Sequence, residues 1–323
     1  LIPTFLGIFY GLVTYFFIIF KQKKIVISFL VFSLIFGILE FIRGSILTGF
    51  PWNLIVFSFS NQLEILSIVS IIGTYGLNLI CISLFISPAI LILKKTKKDF
   101  FVFVFFIIIF TSFYLHGKIY EKKFLSLDKI SNDFDVRVIG SKVTINRFYY
   151  DIDSISVIKN LIQLSNPDPN LKTIFVWPEG ILPGVSKQEF NELSYLFEKR
   201  FNENHLLVIG INDKIMRDGS KKFYNTLSIY DHKLNLLYSY NKIKLVPFGE
   251  FLPFENFFKN IGLKTITNNY QSFSKGKKRE IIELINHGFS LKILPLICYE
   301  IIYTGNLSDD FNFDLIINIS EDG

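Results

Sequence analysis

Four long apolar stretches fill the first 116 residues and are separated by short connectors. They cover residues 1–20, 25–42, 65–93 and 99–115. A helix rises about 1.5 Å per residue and a bilayer core is about 30 Å thick, so each stretch is long enough, or nearly so, to cross a membrane. The third suits a tilted or broken helix around Gly73 and Gly76. Any single stretch could be a buried core helix, but four together predict a transmembrane domain, residues 1–116.

From about residue 133 the pattern changes to short β-rich runs that alternate with helical or turn segments. The predicted strands are DVRVIG (135–140), TIFVWP (173–178), HLLVIGI (205–211), NTLSIYD (225–231), NLLYSY (235–240), FSLKILPLICY (289–299) and FDLIINIS (313–320). Helical spacing covers 152–165 and 187–203, and NPDPN (166–170) indicates a loop. Residues 117–323 are therefore predicted to form an α/β domain.

Two lysine clusters predict how the chain crosses the membrane. They lie at Lys21, Lys23 and Lys24 and at Lys94, Lys95, Lys97 and Lys98, with two spans between them. Short loops rich in lysine stay on the cytoplasmic side, so both clusters are expected there and residues 117–323 outside the cytoplasm. The loop between the second and third spans, with GFPWN at 49–53, falls on the outer face, where Trp52 suits an interfacial anchor.

Charge and cysteine content narrow the class of protein further. Residues 1–116 carry eight Lys or Arg and three Asp or Glu, so +5 of the net charge of +6 lies there. Because this excess sits in connectors between apolar runs, it favours anionic lipid over nucleic acid as a partner. Cys81 and Cys298 lie in different halves and predict no disulfide framework. The chain opens inside an apolar run without Met, and we expect a fragment truncated at both ends.

Candidate chemistry follows three strands of the α/β domain, at the places where loops of such domains collect functional groups. The residues are Glu179 after TIFVWP, Lys242, Lys244, Glu250 and Glu255 in YNKIKLVPFGEFLPFE, and Cys298 and Glu300 in LKILPLICYE. Singly, each has a structural explanation as a core thiol, a solvated lysine or a loop carboxylate. Together a thiol, an amine and a carboxylate are the parts of an acyl-transfer site.

The chemistry assigns a role to each of these three groups. A free thiol is only a few per cent ionised at neutral pH and gains from a neighbouring base, which Glu179 can supply. A fixed cation such as Lys242 can then stabilise the oxyanion of a tetrahedral intermediate. The four histidines, at 116, 205, 232 and 287, show no metal-ligand spacing, and no nucleotide-binding loop occurs. We expect no metal and no cofactor.

The motifs WPE (177–179), Y-x-K-x-x-L-V-P-F-G-E (240–250) and CYE (298–300) resemble the carbon–nitrogen hydrolase (nitrilase) superfamily with its Glu-Lys-Cys triad. With the preceding spans, they resemble the apolipoprotein N-acyltransferase family of the bacterial inner membrane. The resemblance implies Glu179 as general base, Lys242 rather than Lys244 as oxyanion-stabilising lysine, and Cys298 as nucleophile. It also implies three supporting residues, namely Glu250, Tyr299 and Glu300.

The same resemblance implies a fold and an activity. The fold is a nitrilase-like αββα sandwich that faces the periplasm. The activity is transfer of a fatty acyl chain from a membrane phospholipid, through a thioester on cysteine, to the α-amino group of diacylglyceryl-cysteine in an apolipoprotein. Two alternatives remain open: a membrane-tethered amidase or nitrilase with a small substrate, and a non-catalytic lipoprotein-binding protein. Gly180 and Ile181 depart from the family, in which many members carry Thr or Ser and then Ala there.

Overall fold

The computed structural model describes two compact units. They are Leu1–Ile130 and Ser131–Gly323, and each is considered by itself. The described residues are 2–46, 49, 51, 53–93, 97–127, 133–141, 143, 153–182, 185–217, 219–255, 260, 272–303, 307–308 and 310–321. Three residues named above lie outside these ranges: Trp52, Lys94 and Lys95.

Helices make up the described part of the first unit. They are α1 (Ile2–Phe20), α2 (Ile25–Ser45), a 3-10 segment (Ile55–Phe59), α3 (Leu63–Leu66), α4 (Val69–Leu93) and α5 (Lys97–Leu125). Helices α1, α2, α4 and α5 are long and apolar enough to cross a membrane, and each overlaps one of the four predicted stretches. Large apolar side chains such as Ile92 and Phe101 are 78% and 68% exposed, as expected for a surface that lipid covers.

Two of these helices differ from uniform spans. Gly73 has φ 73° and ψ 164°, which interrupts α4 and confirms the predicted break there. Helix α5 continues to Leu125 instead of ending near residue 115. Its last turns are too polar for a bilayer core. They are stabilised by ion pairs, because Nζ of Lys118 lies 2.6 Å from Oε1 of Glu64 and 3.1 Å from Oε2 of Glu121. Hydropathy therefore locates the apolar span but not the end of the helix.

The second unit contains eight described strands and two described α-helices. The strands are β1 (Asp135–Val138), β2 (Thr173–Val176), β3 (His205–Arg217), β4 (Ser220–Tyr230), β5 (Leu236–Asn241), β6 (Ile282–Asn286), β7 (Phe289–Ile297) and β8 (Leu315–Ile319). The helices are α6 (Ser154–Ser165) and α7 (Lys187–Asn191). All seven predicted strands are confirmed, and β6 is a strand that the pattern did not predict.

The strands form two sheets. The first has the order β1-β2-β3-β4-β5, with β1, β2 and β3 parallel and β4 antiparallel to both of its neighbours. The second has the order β6-β7-β8, in which β7 is antiparallel to β6 and parallel to β8. Ile174 and Leu227 of the first sheet share one apolar core with Ile293 and Ile317 of the second. The two sheets therefore pack face to face.

Helices cover the other face of the first sheet. Ile158 of α6 and Phe190 of α7 belong to the core cluster that contains Phe175 and Trp177. A helical layer and two sheets are thus in place, three of the four layers of the predicted αββα sandwich, and the predicted fold class is confirmed.

The extent of α7 was predicted wrongly. The helix is five residues long, followed by turns and a 3-10 segment (Ser194–Leu196), rather than continuous over 187–203. Phe190, Phe197 and Phe201 are all buried in the same core, at a spacing that a long helix would also produce. Because a chain of short turns can bury the same three rings, apolar spacing alone did not distinguish the two structures.

Candidate active site

The three motifs meet at one end of the sandwich. Glu179 follows β2, Lys242 follows β5 directly, and Cys298 follows β7 directly. Strands β2 and β5 run in the same direction, since β3 is parallel to β2 and β4 reverses the chain between β3 and β5. Their carboxyl ends therefore lie at the same edge of the first sheet, and the second sheet contributes the cysteine.

Lys242 is the centre of a buried cluster of polar side chains. It is 1% exposed, and its Nζ lies 3.3 Å from Oε1 of Glu179 and 2.9 Å from Oε1 of Glu250. Nδ2 of Asn225 donates to the same two oxygens, at 2.6 Å and 2.8 Å. Glu250 also accepts from the backbone N–H of Val246 at 2.9 Å. Two carboxylates are thus held against one ammonium group and one amide.

This surrounding keeps Lys242 charged. Burial is the largest single influence and acts to lower the pKa of the amine, but the charges of Glu179, Glu250 and Cys298 and a hydrogen bond to Glu250 together outweigh it. The net effect raises the pKa of Lys242 to about 12. A permanently protonated lysine cannot serve as a base at neutral pH, so its chemical use is as a fixed positive charge.

Cys298 occupies an unusual backbone position. Its φ is 56°, in the left-handed region that non-glycine residues rarely adopt. Burial, and then the negative charge of Glu179, raise the pKa of the Cys298 thiol to about 12. The thiol is hydrogen-bonded to Glu179, so it is protonated at rest and has a carboxylate beside it to accept the proton.

The rate at which iodoacetamide alkylates Cys298 should depend steeply on pH. Only the thiolate reacts, and a pKa raised to about 12 means that the thiolate fraction, and hence the rate, rises about tenfold per pH unit from pH 7 to 10. Peptide mass spectrometry, which separates Cys298 from Cys81, measures that rate, and the urea-unfolded protein serves as control because its rate levels off near pH 9. A plateau below pH 8 in the folded protein would contradict a protonated resting thiol.

Glu300 is fully buried and binds the backbone on both sides of the site. Its Oε1 accepts from the N–H groups of Ile243 and Lys244, both at 3.0 Å, and its Oε2 from that of Ile297 at 3.0 Å. Tyr240 donates its hydroxyl to the same carboxylate at 2.9 Å. One side chain therefore fixes the residues that follow the lysine and the residue that precedes the cysteine.

Tyr299 lines the site on another side. Its hydroxyl donates to the carbonyl of Leu245 at 2.9 Å, and Nζ of Lys242 lies 5.6 Å from the centroid of its ring. Lys244 has a different environment, with its Nζ 5.2 Å from the ring centroid of Tyr303. Of the two lysines considered from the sequence, Lys242 is the one that contacts Glu179.

Asn225 and Gly210 were not predicted as site residues. Asn225 lies within the FYN segment (223–225) of β4. The sequence around an asparagine in a strand does not indicate which groups its amide will bind. Gly210 of β3 faces the backbone next to Glu179: an added Cβ would lie 2.5 Å from Cα of Glu179 and 2.5 Å from the carbonyl oxygen of Pro178. A side chain at position 210 would therefore displace the backbone of Pro178 and Glu179.

Gly210→Ala should destabilise the second unit by about 2 to 3 kcal/mol, because the crowded atoms belong to the backbone and cannot swing aside. Gly219→Ala is the matched control: no atom lies within 4 Å of its added Cβ, and only its φ of 73° is unfavourable for alanine, which costs about 1 to 2 kcal/mol. Chemical denaturation of the two variants measures the difference. Equal losses of unfolding free energy would contradict the close approach at Gly210.

Within the described residues, no three His, Cys, Asp or Glu side chains are grouped so that they could hold a metal ion. The described cluster offers a group that can transfer a proton, a nucleophile and a fixed positive charge.

Two family models match the chain. Residues 173–320 match Carbon-nitrogen hydrolase, and residues 1–87 match Apolipoprotein N-acyltransferase N-terminal domain. Glu179, Lys242 and Cys298 all lie within the first of these matches.

Curated relatives match the chain over most of its length. A Rhodopseudomonas palustris protein named apolipoprotein N-acyltransferase is 29% identical over 297 residues, which are 88% of this chain and 54% of the relative. A Rhizobium rhizogenes protein of the same name is 24% identical over 99% of this chain and 61% of its own. The chain spans about half the length of the curated relatives that it matches. Among solved structures, Saccharomyces cerevisiae Nit3 of the nitrilase superfamily is 17% identical over 54% of this chain and 60% of its own, with a TM-score of 0.33.

Proposed function

We propose that this chain, which matches the Apolipoprotein N-acyltransferase N-terminal domain model over residues 1–87 and the Carbon-nitrogen hydrolase model over residues 173–320, transfers a fatty acyl group to lipoproteins. The observation that carries the proposal is the Cys298 thiol hydrogen-bonded to Glu179, whose carboxylate contacts the buried Lys242 ammonium. Base, cation and thiol are adjacent, and four apolar helices precede them.

The first half of the reaction forms an acyl-enzyme. Glu179 takes the proton of the Cys298 thiol as sulfur attacks the ester carbonyl of a phospholipid. A carbon–sulfur bond forms, and the charge that develops on the carbonyl oxygen is stabilised by Lys242. The ester carbon–oxygen bond then breaks, and Glu179 returns the proton to the leaving lysophospholipid. The product is a thioester on Cys298.

The second half transfers the acyl group to an amine. The α-amino group of a diacylglyceryl-cysteine attacks the thioester carbonyl, a carbon–nitrogen bond forms, and the carbon–sulfur bond breaks. Glu179 accepts the proton from the amine and delivers it to sulfur, which restores the thiol. The net reaction converts a phospholipid and an apolipoprotein into a lysophospholipid and an N-acylated lipoprotein.

Glu250, Tyr299 and Glu300 act as supporting residues in this scheme. Glu250 shares the Lys242 ammonium with Glu179 and so limits where the amine can point. Tyr299 presents its ring to that amine, and Glu300 holds the backbone on both sides. None of the three needs to exchange a proton with substrate, so their expected effect is on geometry.

The first unit, Leu1–Ile130, is assigned to the membrane domain, and the second unit, Ser131–Gly323, to the catalytic domain. The lysine clusters beside the spans favour a bacterial inner-membrane protein whose catalytic domain faces the periplasm. Membrane anchoring suits the chemistry, because both substrates carry acyl chains that remain in the bilayer.

Intact-protein mass spectrometry tests the proposal directly. The purified membrane protein is incubated with phosphatidylethanolamine vesicles and no acceptor, then digested to locate any adduct. We expect a fatty-acyl mass increase on Cys298 that hydroxylamine removes and that a diacylglyceryl peptide also discharges. Folded protein that gains no adduct from phospholipid but hydrolyses short amides would contradict lipoprotein acylation and favour a tethered amidase. Folded protein with neither activity would favour a binding role.

A further inference from the structure

Glu300 needs a positive partner that the three motifs do not contain. It is 0% exposed, and a carboxylate without water is costly unless a counter-ion and hydrogen-bond donors surround it. Its donors are backbone N–H groups and the Tyr240 hydroxyl, all of them neutral. Lys242 is not its partner, because that ammonium pairs with Glu179 and Glu250.

Arg279 supplies the positive charge. Its Nη2 lies 2.9 Å from Oε1 of Glu300, and the arginine side chain is 10% exposed. The same guanidinium donates from Nε to the Tyr240 hydroxyl at 3.1 Å and from Nη1 to the carbonyl of Leu307 at 2.8 Å. Three contacts to three different segments hold the guanidinium in one orientation.

These contacts connect Arg279 to both reacting side chains of the proposed mechanism. Through Glu300, the arginine restrains the N–H groups of Ile243 and Lys244, which directly follow Lys242. Through the same carboxylate, it restrains Ile297, which directly precedes Cys298. A shift of Glu300 would therefore move the amine and the thiol together, since one carboxylate sets the position of both backbone segments.

Gly276 joins the arginine-bearing segment to the lysine a second time. Its N–H donates to the carbonyl of Lys242 at 2.8 Å, and an added Cβ would contact the carbonyl oxygen of Asn241. The coil that carries Arg279 is therefore packed directly against the residue that it helps to position.

We infer that Arg279 is a positioning residue of this site, which acts through Glu300 to hold Lys242 and Cys298 at their reacting distance; the inference rests on the proposed acyl transfer. Arg279 does not touch the reacting atoms itself. Nothing in the sequence distinguishes it from its neighbours, because it belongs to the basic run GKKRE (276–280).

The test compares Arg279→Gln, Arg279→Lys and the control Lys278→Gln in the intact membrane protein. Lys278 is adjacent, with a side chain that is 73% exposed and paired only loosely with Glu280 at 3.8 Å. The rate of Cys298 acylation by phosphatidylethanolamine vesicles is measured by mass spectrometry, and folding is checked by thermal unfolding. Iodoacetamide alkylation of Cys298 at pH 9 provides a second rate that needs no lipid.

We expect folded Arg279→Gln to acylate about 100-fold more slowly than the wild type, since a displacement of about 1 Å costs that much. Its alkylation rate should change as well, while Lys278→Gln stays at the wild-type value. Arg279→Lys keeps the charge but loses the fork to Tyr240 and Leu307, so its acylation rate should recover to about three- to tenfold below the wild type.

Wild-type acylation and alkylation rates in folded Arg279→Gln would overturn the inference, because a residue with only a structural role lowers the unfolding temperature alone. If Arg279→Gln does not fold, Arg279→Lys decides: a loss of at least threefold supports the inference, and a wild-type rate contradicts it. Failure of the proposed function has a different signature. In that case wild-type protein gains no acyl adduct, while an altered alkylation rate in Arg279→Gln still supports a positioning role.

Discussion

Replacing Cys298 by alanine is expected to abolish the acyl-enzyme and to lower lipoprotein acylation by at least about 10⁴-fold, the scale of effect seen when a covalent nucleophile is removed. In the proposed mechanism the acyl group is bonded to this sulfur between the two half-reactions, and neither Glu179 nor Lys242 can replace it. Alanine tolerates a φ of 56° about as poorly as cysteine, so the fold should change little. Mass spectrometry and acceptor-peptide acylation measure the loss.

Cys81→Ala is the matched control for this variant. Cys81 is the other cysteine of the sequence and lies buried in α4 of the first unit. Its replacement removes a thiol without touching the proposed chemistry, and we expect acylation within about twofold of the wild type. Full acylation in Cys298→Ala, or equal losses in both variants, would contradict a nucleophilic role for Cys298.

Lys242→Met is expected to lower both activity and stability. Methionine fills a similar volume, but the oxyanion loses its fixed positive charge, which should cost at least about 10³-fold in the acylation rate. Glu179 and Glu250 would then face each other across a buried site with only Asn225 between them. Removing one partner of a buried ion pair typically costs about 3 to 5 kcal/mol of unfolding free energy.

Two further variants separate these effects. Lys244→Met removes the neighbouring lysine, whose amine lies over Tyr303, and should keep most of the activity. Lys242→Met combined with Glu250→Gln removes one of the two facing charges, so it should recover much of the lost stability without recovering activity. The Lys242 assignment fails if Lys244→Met is the more damaging single change, or if the double variant acylates at the wild-type rate.

The strands and the three motifs could be predicted from the sequence because each combines an apolar run with polar residues that follow it directly. TIFVWPE is an apolar run stopped by a proline, and the carboxylate that follows it lies where such a strand must end. LKILPLICYE is also an apolar run that is followed by polar groups, but its proline, Pro295, lies within β7 and does not end the strand. In contrast, the seven-residue strand prediction at 205–211 was too short, because β3 extends to Arg217 through NDKIMR, whose polar residues gain their order from pairing with β4.

The partners inside the site could not be predicted, because they are set by tertiary contacts. Asn225 is a polar residue in a strand, and only the packed structure places its amide between Glu179 and Glu250. Arg279 shares a basic run with two exposed lysines, yet its own side chain is turned into the protein. Gly210 differs from other glycines only through the backbone that lies against it.

The left-handed backbone at Cys298 means that the residue proposed to carry out the reaction also lowers the stability of the fold. A β-carbon at a φ of 56° carries a penalty of about 1 to 2 kcal/mol relative to glycine. Glycine at position 298 would relieve that strain but would remove the proposed nucleophile and its contact with the core between the sheets. If Cys298 acts as proposed, a stabilising change at this position is also an inactivating one, so a screen for stabilised variants has to be coupled to turnover.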